Sequence, residues 1–280
     1  MNIYDVSKKA GVSIATVSRV LNGNANVSDK TKNKVLVAMK ELDYTPNIFA
    51  RGLGLNTMKT IGIMCSDSSD TYLANAVYYL EQELRRHNYD SILCCTGQDS
   101  ETKKKYLDLL ISKRVDGIIL AGSQFVLNQP GSDNRYILNA AKEVPIVLAN
   151  GFLPGKNIYS VMCNDTAAVY DATSRLIAAG RRQIVYLYTS TSYSGMNKLK
   201  GYKNALSDAG IPLREEWTHL CTKNIQRAKD YLNTLYDKGI SFDAVVTSDD
   251  SLAVGAVKYA YEHRIAIPEQ LQIIGYNNSV

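Results

Sequence analysis

The 280-residue sequence is poor in several things at once. It has one tryptophan, four phenylalanines, three histidines and six prolines, and no apolar run long enough to span a bilayer. The start lacks a basic-then-apolar export pattern, so the expected compartment is the cytosol. Its five cysteines (Cys65, Cys94, Cys95, Cys163, Cys221) are odd in number and lack metal-ligand spacing. Reduced, buried, structural thiols are therefore expected, with neither metal nor cofactor. The histidines (His87, His219, His263) complete no Ser-His-Asp signature, and no phosphate-cradling glycine loop is present. An enzyme is thus disfavoured. The adjacent Asp249 and Asp250 could suggest glycoside chemistry, but in a strand-to-helix loop they read as a cap beside a ligand contact.

Charge is present, and it is unevenly placed. Residues 1–60 hold nine Lys/Arg against four Asp/Glu, and residues 61–280 hold 23 of each. The whole excess of +5 sits in the first fifth of the chain, as in a nucleic-acid binder. In "IYDVSKKA" (3–10), Ile3, Val6 and Ala10 share a helical face; Gly11 permits a sharp turn, and Ser13 suits an N-cap before Ile14. Such a pair forms a helix-turn-helix. A third helix, capped by Ser28 and running to about Leu42, closes the core with Val35, Ala38, Met39 and Leu42.

In "GVSIATVSRVLNG" (11–23), Val12, Val17, Val20 and Leu21 face inward. Ile14, Ala15, Ser18, Arg19 and Asn22 face out, with Thr16 at the border. Small outward residues suit a major groove about 12 Å wide. Ile14 and Ala15 can meet thymine methyls, and Arg19 can bond guanine O6 and N7; Thr16, Ser18 and Asn22 suit phosphates.

From Thr60 the pattern alternates strands and helices. Strands are expected at 60–65, 91–95, 117–121, 145–150, 183–188, 218–222, 243–248 and 271–276. Helices are expected at 71–87, 166–179, 197–209, 225–238 and 250–263. Parallel sheets covered by helices follow, in two consecutive α/β units, with a ligand at the strands' carboxyl ends. The polar stretches "SDSSDTY", "TSTSYSG", "SDD" and "YNNS" stand there.

The stretch "IYDVSKKAGVSIATVSRVLNGNANVSDKTKNKVLVAMKELDYTPN" closely resembles the DNA-binding headpiece of the lactose/galactose repressor (LacI/GalR) family, most like its catabolite-control branch. "MKTIGIMCSDSS", "KRVDGIIL", "GYKNALSDAGIP", "SDDSLAVGAVKYA" and "IPEQLQIIGYNNS" continue the likeness in family order. The resemblance implies a helix-turn-helix headpiece at 1–45 and a hinge helix at 46–59. An effector and dimerisation domain related to periplasmic binding proteins would occupy 60–280, with subdomains at about 60–162 and 163–280. It implies base selection by Ile14, Ala15 and Arg19, and a minor-groove wedge at Leu53. Effector contacts fall on Tyr72, Ser194, Lys198, Asp249 and Asn277. Many members carry an acid at Cys163, an arginine at Lys198 and an acid at Asn277, so this pocket is expected to be weakly charged.

Family chains run on past the point matching Val280, and the expectation is an incomplete chain lacking its last crossover segments. The implied function is a homodimeric operator-binding regulator, a repressor of carbohydrate genes, controlled by a sugar-like effector. The alternatives are a global regulator with a phosphocarrier protein as corepressor, and a sugar-binding module without a DNA role.

Overall fold

A computed structural model describes residues 1–23, 26–45, 57–126 and 133–279. The first unit is three helices, α1 (Ile3–Ala10), α2 (Ile14–Leu21) and α3 (Asp29–Glu41). Each begins at a polar cap. Asn2 caps α1 in a reciprocal pair with Asp5, and Ser13 and Ser28 accept from the backbone three residues on. Gly11 ends α1 at φ 64°, a left-handed conformation that glycine adopts without strain. Val6, Ala10, Val17, Val20, Val35 and Ala38 form the buried centre, and Met39 and Leu42 pack against it half-buried. Fully burying one valine contributes roughly 1.5–3 kcal/mol, so three short helices that are marginal alone hold together through this cluster.

Two parallel α/β lobes follow. The first contains β1 (Thr60–Cys65), α4 (Thr71–Arg86), β2 (Asp90–Cys95), α5 (Ser100–Ser112), β3 (Gly117–Ala121), α6 (Arg135–Glu143), β4 (Ile146–Ala149) and β5 (Ile158–Val161). Its sheet runs β2-β1-β3-β4-β5, all parallel. The second lobe contains α7 (Asp165–Ala178), β6 (Ile184–Tyr188), α8 (Tyr193–Asp208), β7 (Thr218–Leu220), α9 (Ile225–Asp237), β8 (Ala244–Thr247), α10 (Asp250–Glu262) and β9 (Gln272–Ile274). Its sheet runs β7-β6-β8-β9, again parallel. Strands such as β3 and β8 are almost continuously buried and mainly apolar because helices cover both faces.

Strand order reverses between β1 and β3 in one sheet and between β6 and β8 in the other. Loops diverge at such points, and the crevice beyond the carboxyl ends is left open. Before β3, Asp116 accepts from Thr57 Oγ1 at 2.8 Å, Met58 N at 3.0 Å and Thr60 N at 3.2 Å, fixing the start of the body.

Some expectations need correction. Helix α8 starts at Tyr193, four residues earlier than its pattern suggests, so Ser194 and Gly195 are helical rather than loop. Ser192 caps it by accepting from Gly195 N at 3.3 Å. A side chain at 195 would sit 2.1 Å from the Ser190 carbonyl oxygen, so the glycine allows close approach instead of breaking the helix. Strand β5 was not anticipated, and β9 is three residues long because Asn277 and Asn278 turn away at positive φ. All five cysteines are free, but only Cys65, Cys94 and Cys221 are buried; Cys95 and Cys163 are exposed. Cys95 stands on edge strand β2 with its outer face uncovered. Among the described residues no helix is long and apolar enough to cross a membrane, and no cluster of His, Cys, Asp and Glu could hold a metal.

Candidate functional site

Helix α2 presents the first site. Val17 and Val20 anchor it in the core, while Ile14, Ala15 and Arg19 are exposed on its outer side. Thr16, Ser18 and Asn22 are half-buried at the border. Thr16 Oγ1 lies 2.9 Å from the capping Ser13 Oγ, and Asn22 Nδ2 donates to Ser18 Oγ at 3.5 Å. The glycine turn is closed by Ser7 Oγ donating to Val12 O at 2.7 Å, which fixes α2 against α1. Lys8 and Lys9 end α1, and Lys9 pairs with Glu41 of α3 at 2.8 Å. Leu53 and the segment 46–56 lie outside the described residues.

The second site is a cleft where the two switch points face each other. The first lobe contributes Ser66, Asp67, Asp70 and Tyr72 after β1, and Ser123 and Gln124 after β3. The second contributes Ser190, Ser192, Ser194 and Lys198 after β6, Ser248 and Asp249 after β8, and Asn277. All five residues proposed for effector contact, Tyr72, Ser194, Lys198, Asp249 and Asn277, therefore line one cavity. The lobes touch where Ser123 Oγ and Ser192 Oγ stand 2.8 Å apart.

Lys198 is buried, and its Nζ donates to Ser248 O at 3.2 Å above the Tyr276 ring. Burial depresses its pKa, against the pull of Asp165 and Asp249. Tyr276 OH donates to Asp165 Oδ1 at 2.6 Å, and burial, then that bond, raises the phenol. Burial also raises the Tyr72 phenol.

Asp249 Oδ1 accepts from Ser251 N and Oγ, at 3.0 and 2.6 Å. Its Oδ2 accepts from Asn277 Nδ2 at 3.3 Å and faces Lys223 Nζ at 2.9 Å. Burial works to raise this carboxyl, but the bonds from Ser251 and Lys223 outweigh it and hold the group below its ordinary value. Asp250 points elsewhere, accepting from Ser279 N and Oγ at 2.7 Å each. Each member of this acid pair is thus engaged with a cap or a turn, and they do not form a facing pair.

Lys223, Gln98, Gln124 and Asn150 were not among the sequence candidates, and Asp70 was there only as part of the stretch "SDSSDTY", yet all line the cleft. Asp70 had a legible signal, since an aspartate just before an apolar-periodic helix reads as its cap. Lys223 had none, because its contact is with a residue 153 positions away.

A three-helix unit with an exposed recognition-type helix, joined to a two-lobed body enclosing a polar cleft, defines a ligand-responsive DNA-binding regulator. Residues 2–47 match the bacterial regulatory proteins of the lacI family, and residues 58–279 match the periplasmic binding proteins and sugar-binding domain of the LacI family. The chain belongs to the LacI family of transcriptional regulators. An HTH-type transcriptional regulator of Lachnoclostridium phytofermentans is 61% identical over 280 residues, covering 100% of this chain and 84% of the relative. Catabolite control protein A of Priestia megaterium is 31% identical over 283 residues, covering 100% and 83%. The lac repressor dimer bound to operator and the anti-inducer ONPF has the same fold, with a TM-score of 0.85 at 23% identity over 99% of this chain and 82% of that one.

Proposed function

We propose that this regulator represses carbohydrate genes as a homodimer, reading an operator through α2 and releasing or tightening it when a sugar-like effector fills the cleft. In this reading residues 1–45 are the headpiece, 46–59 the hinge and 60–280 the effector and dimerisation domain. Ile14, Ala15 and Arg19 read bases; Thr16, Ser18 and Asn22 hold phosphates, and Leu53 wedges the minor groove. The observation that carries the reading is the convergence of Tyr72, Ser194, Lys198, Asp249 and Asn277 on one cleft. Its lining is rich in hydroxyls and amides, which bond a polyol by donating and accepting alike. Tyr72 offers a flat apolar face for a sugar ring.

Dimerisation is supported by large apolar side chains left open on both lobes. These are Tyr78 and Tyr79 on α4, Leu93 on β2, and Val254, Val257 and Tyr261 on α10. A second reading, with a phosphocarrier protein as corepressor, is favoured by the likeness to catabolite control protein A. The test is selection of binding sites from random DNA by the full chain, followed by operator titration with sugars and with a phosphocarrier protein. Recovery of a palindrome whose binding responds to a sugar alone supports the first reading. Response to the phosphocarrier protein alone supports the second, and recovery of no site overturns both.

A further inference from the structure

One contact between the lobes is ionic. Lys223 lies on the turn after β7, just before Asn224 caps α9. Its Nζ stands 2.6 Å from Asp70 Oδ2 in the first lobe and 2.9 Å from Asp249 Oδ2 in the second. Both carboxylates are fixed by their other oxygen. Asp70 Oδ1 caps α4 by accepting from Leu73 N at 3.1 Å, and Asp249 Oδ1 is held by Ser251. The lysine is therefore the movable member between two anchored anions, one on each side of the cleft. Without it, two carboxylates would face each other across the opening and repel.

We infer that Lys223 is a positioning residue that clamps the two lobes together by joining Asp70 to Asp249, setting how far the ligand-free cleft opens. The inference rests on the effector reading only for its bearing on regulation, because the clamp operates with no ligand present. An ammonium has three N–H donors, and two carboxylates leave one for a ligand that enters beside Asp249. Lys223 is 40% exposed, so the clamp is sensitive to salt and can open.

The test uses the ligand-free full chain with exposed Cys95 and Cys163 replaced by serine. Spin labels go on exposed positions of opposite lobes, at Glu101→Cys on α5 and Lys203→Cys on α8, and double electron–electron resonance reads the distance between them. Asp70→Asn retains an oxygen that caps α4 and removes only the charge. Asp70→Asn is expected to raise the ratio of open to closed molecules up to about fivefold, as loss of one partly exposed ion pair should. Lys223→Met should raise it by at least as much, because it also leaves Asp70 and Asp249 facing each other without a cation. The double variant should open no further than Lys223→Met, because both changes remove the same contact. High salt should move the parent the same way. A side chain with only a structural role would lower stability and leave the distances unchanged. Superimposable distributions for Asp70→Asn and the parent, or additive single effects, would overturn the clamp. If Lys223→Met does not fold, Asp70→Asn and the salt titration decide the matter between them.

Discussion

The Lys198 ammonium sits 3.7 Å from the centre of the Tyr276 ring, whose hydroxyl in turn bonds Asp165. A cation over the aromatic face and a carboxylate on the ring's hydroxyl join Lys198 and Asp165, both buried, through one half-buried tyrosine. Asp165 Oδ2 has no hydrogen-bond partner among the described residues, so Oδ1 and its bond to Tyr276 are what the carboxylate depends on.

Tyr276→Phe should therefore destabilise the protein by about 1–3 kcal/mol, the cost of leaving a buried acceptor unmade. Adding Asp165→Asn should recover part of this by removing the stranded charge. Urea unfolding of the two single variants and the double variant measures it. A Tyr276→Phe midpoint equal to the parent's would show that the bond is not needed.

Arg19→Ala should cost about 1–3 kcal/mol of operator affinity and relax preference at one base pair in each half-site. Lys8→Ala should instead weaken binding to all sequences alike and flatten the salt dependence. Lys9→Ala should do so less, because Lys9 is already paired with Glu41. Competition assays against mutated operators at several salt concentrations separate these behaviours. An Arg19→Ala protein as selective as the parent would remove α2 from base reading.

Asn277→Ala should weaken sugar binding by about 1–3 kcal/mol. Loss of the amide leaves a ligand hydroxyl unpaired and Asp249 Oδ2 with Lys223 as its remaining partner. Calorimetry with a sugar that binds the parent reads the change, and equal affinity would place the ligand elsewhere in the cleft.

Acid should loosen the second lobe. The Asp249 carboxyl lies below its ordinary 3.8 in the folded protein, so its contribution is fully present above that value and is lost as pH falls through the lower folded one. The groups around it are Ser251, Lys223, Asn277 and, further off, Lys198. Lys223 is raised, since its bonds to Asp70 and Asp249 outweigh its burial; its share therefore persists at neutral pH and fades only in strong alkali. Asp249→Asn should flatten the acid limb of stability against pH. A limb as steep as the parent's would assign acid sensitivity to other carboxylates.

Tyr79→Glu combined with Val257→Glu should yield monomers by sedimentation equilibrium, because both side chains are open and apolar in the single chain. Operator affinity should fall with dimerisation, as two half-sites are then no longer held together. A doubly substituted protein that still sediments as a dimer would place the interface on other faces.

The two lobes were readable because their central strands are short, mainly apolar blocks between polar turns, as at Gly117–Ala121 and Ala244–Thr247. The three-helix unit was readable from Ser13, Ser28 and Gly11, whose chemistry is local. Misreadings arose where distant atoms decide. Gly195 reads as a breaker until the Ser190 carbonyl is seen against it. Ile158–Val161 becomes a strand through pairing with β4, since its own pattern is too short to show one. Cys95 was expected inside because cysteine usually is, but it lies on an edge strand with an uncovered face. In the cleft, Lys198 and Asn277 were found by family likeness, whereas Lys223 emerged only from folding.

Asp116 ties Thr57, Met58 and Thr60 to the root of β3 by three hydrogen bonds. A tether so fastened has no slack at its body end. Any turn of the first lobe is therefore carried without loss as far as Thr57, where the described chain of the body begins.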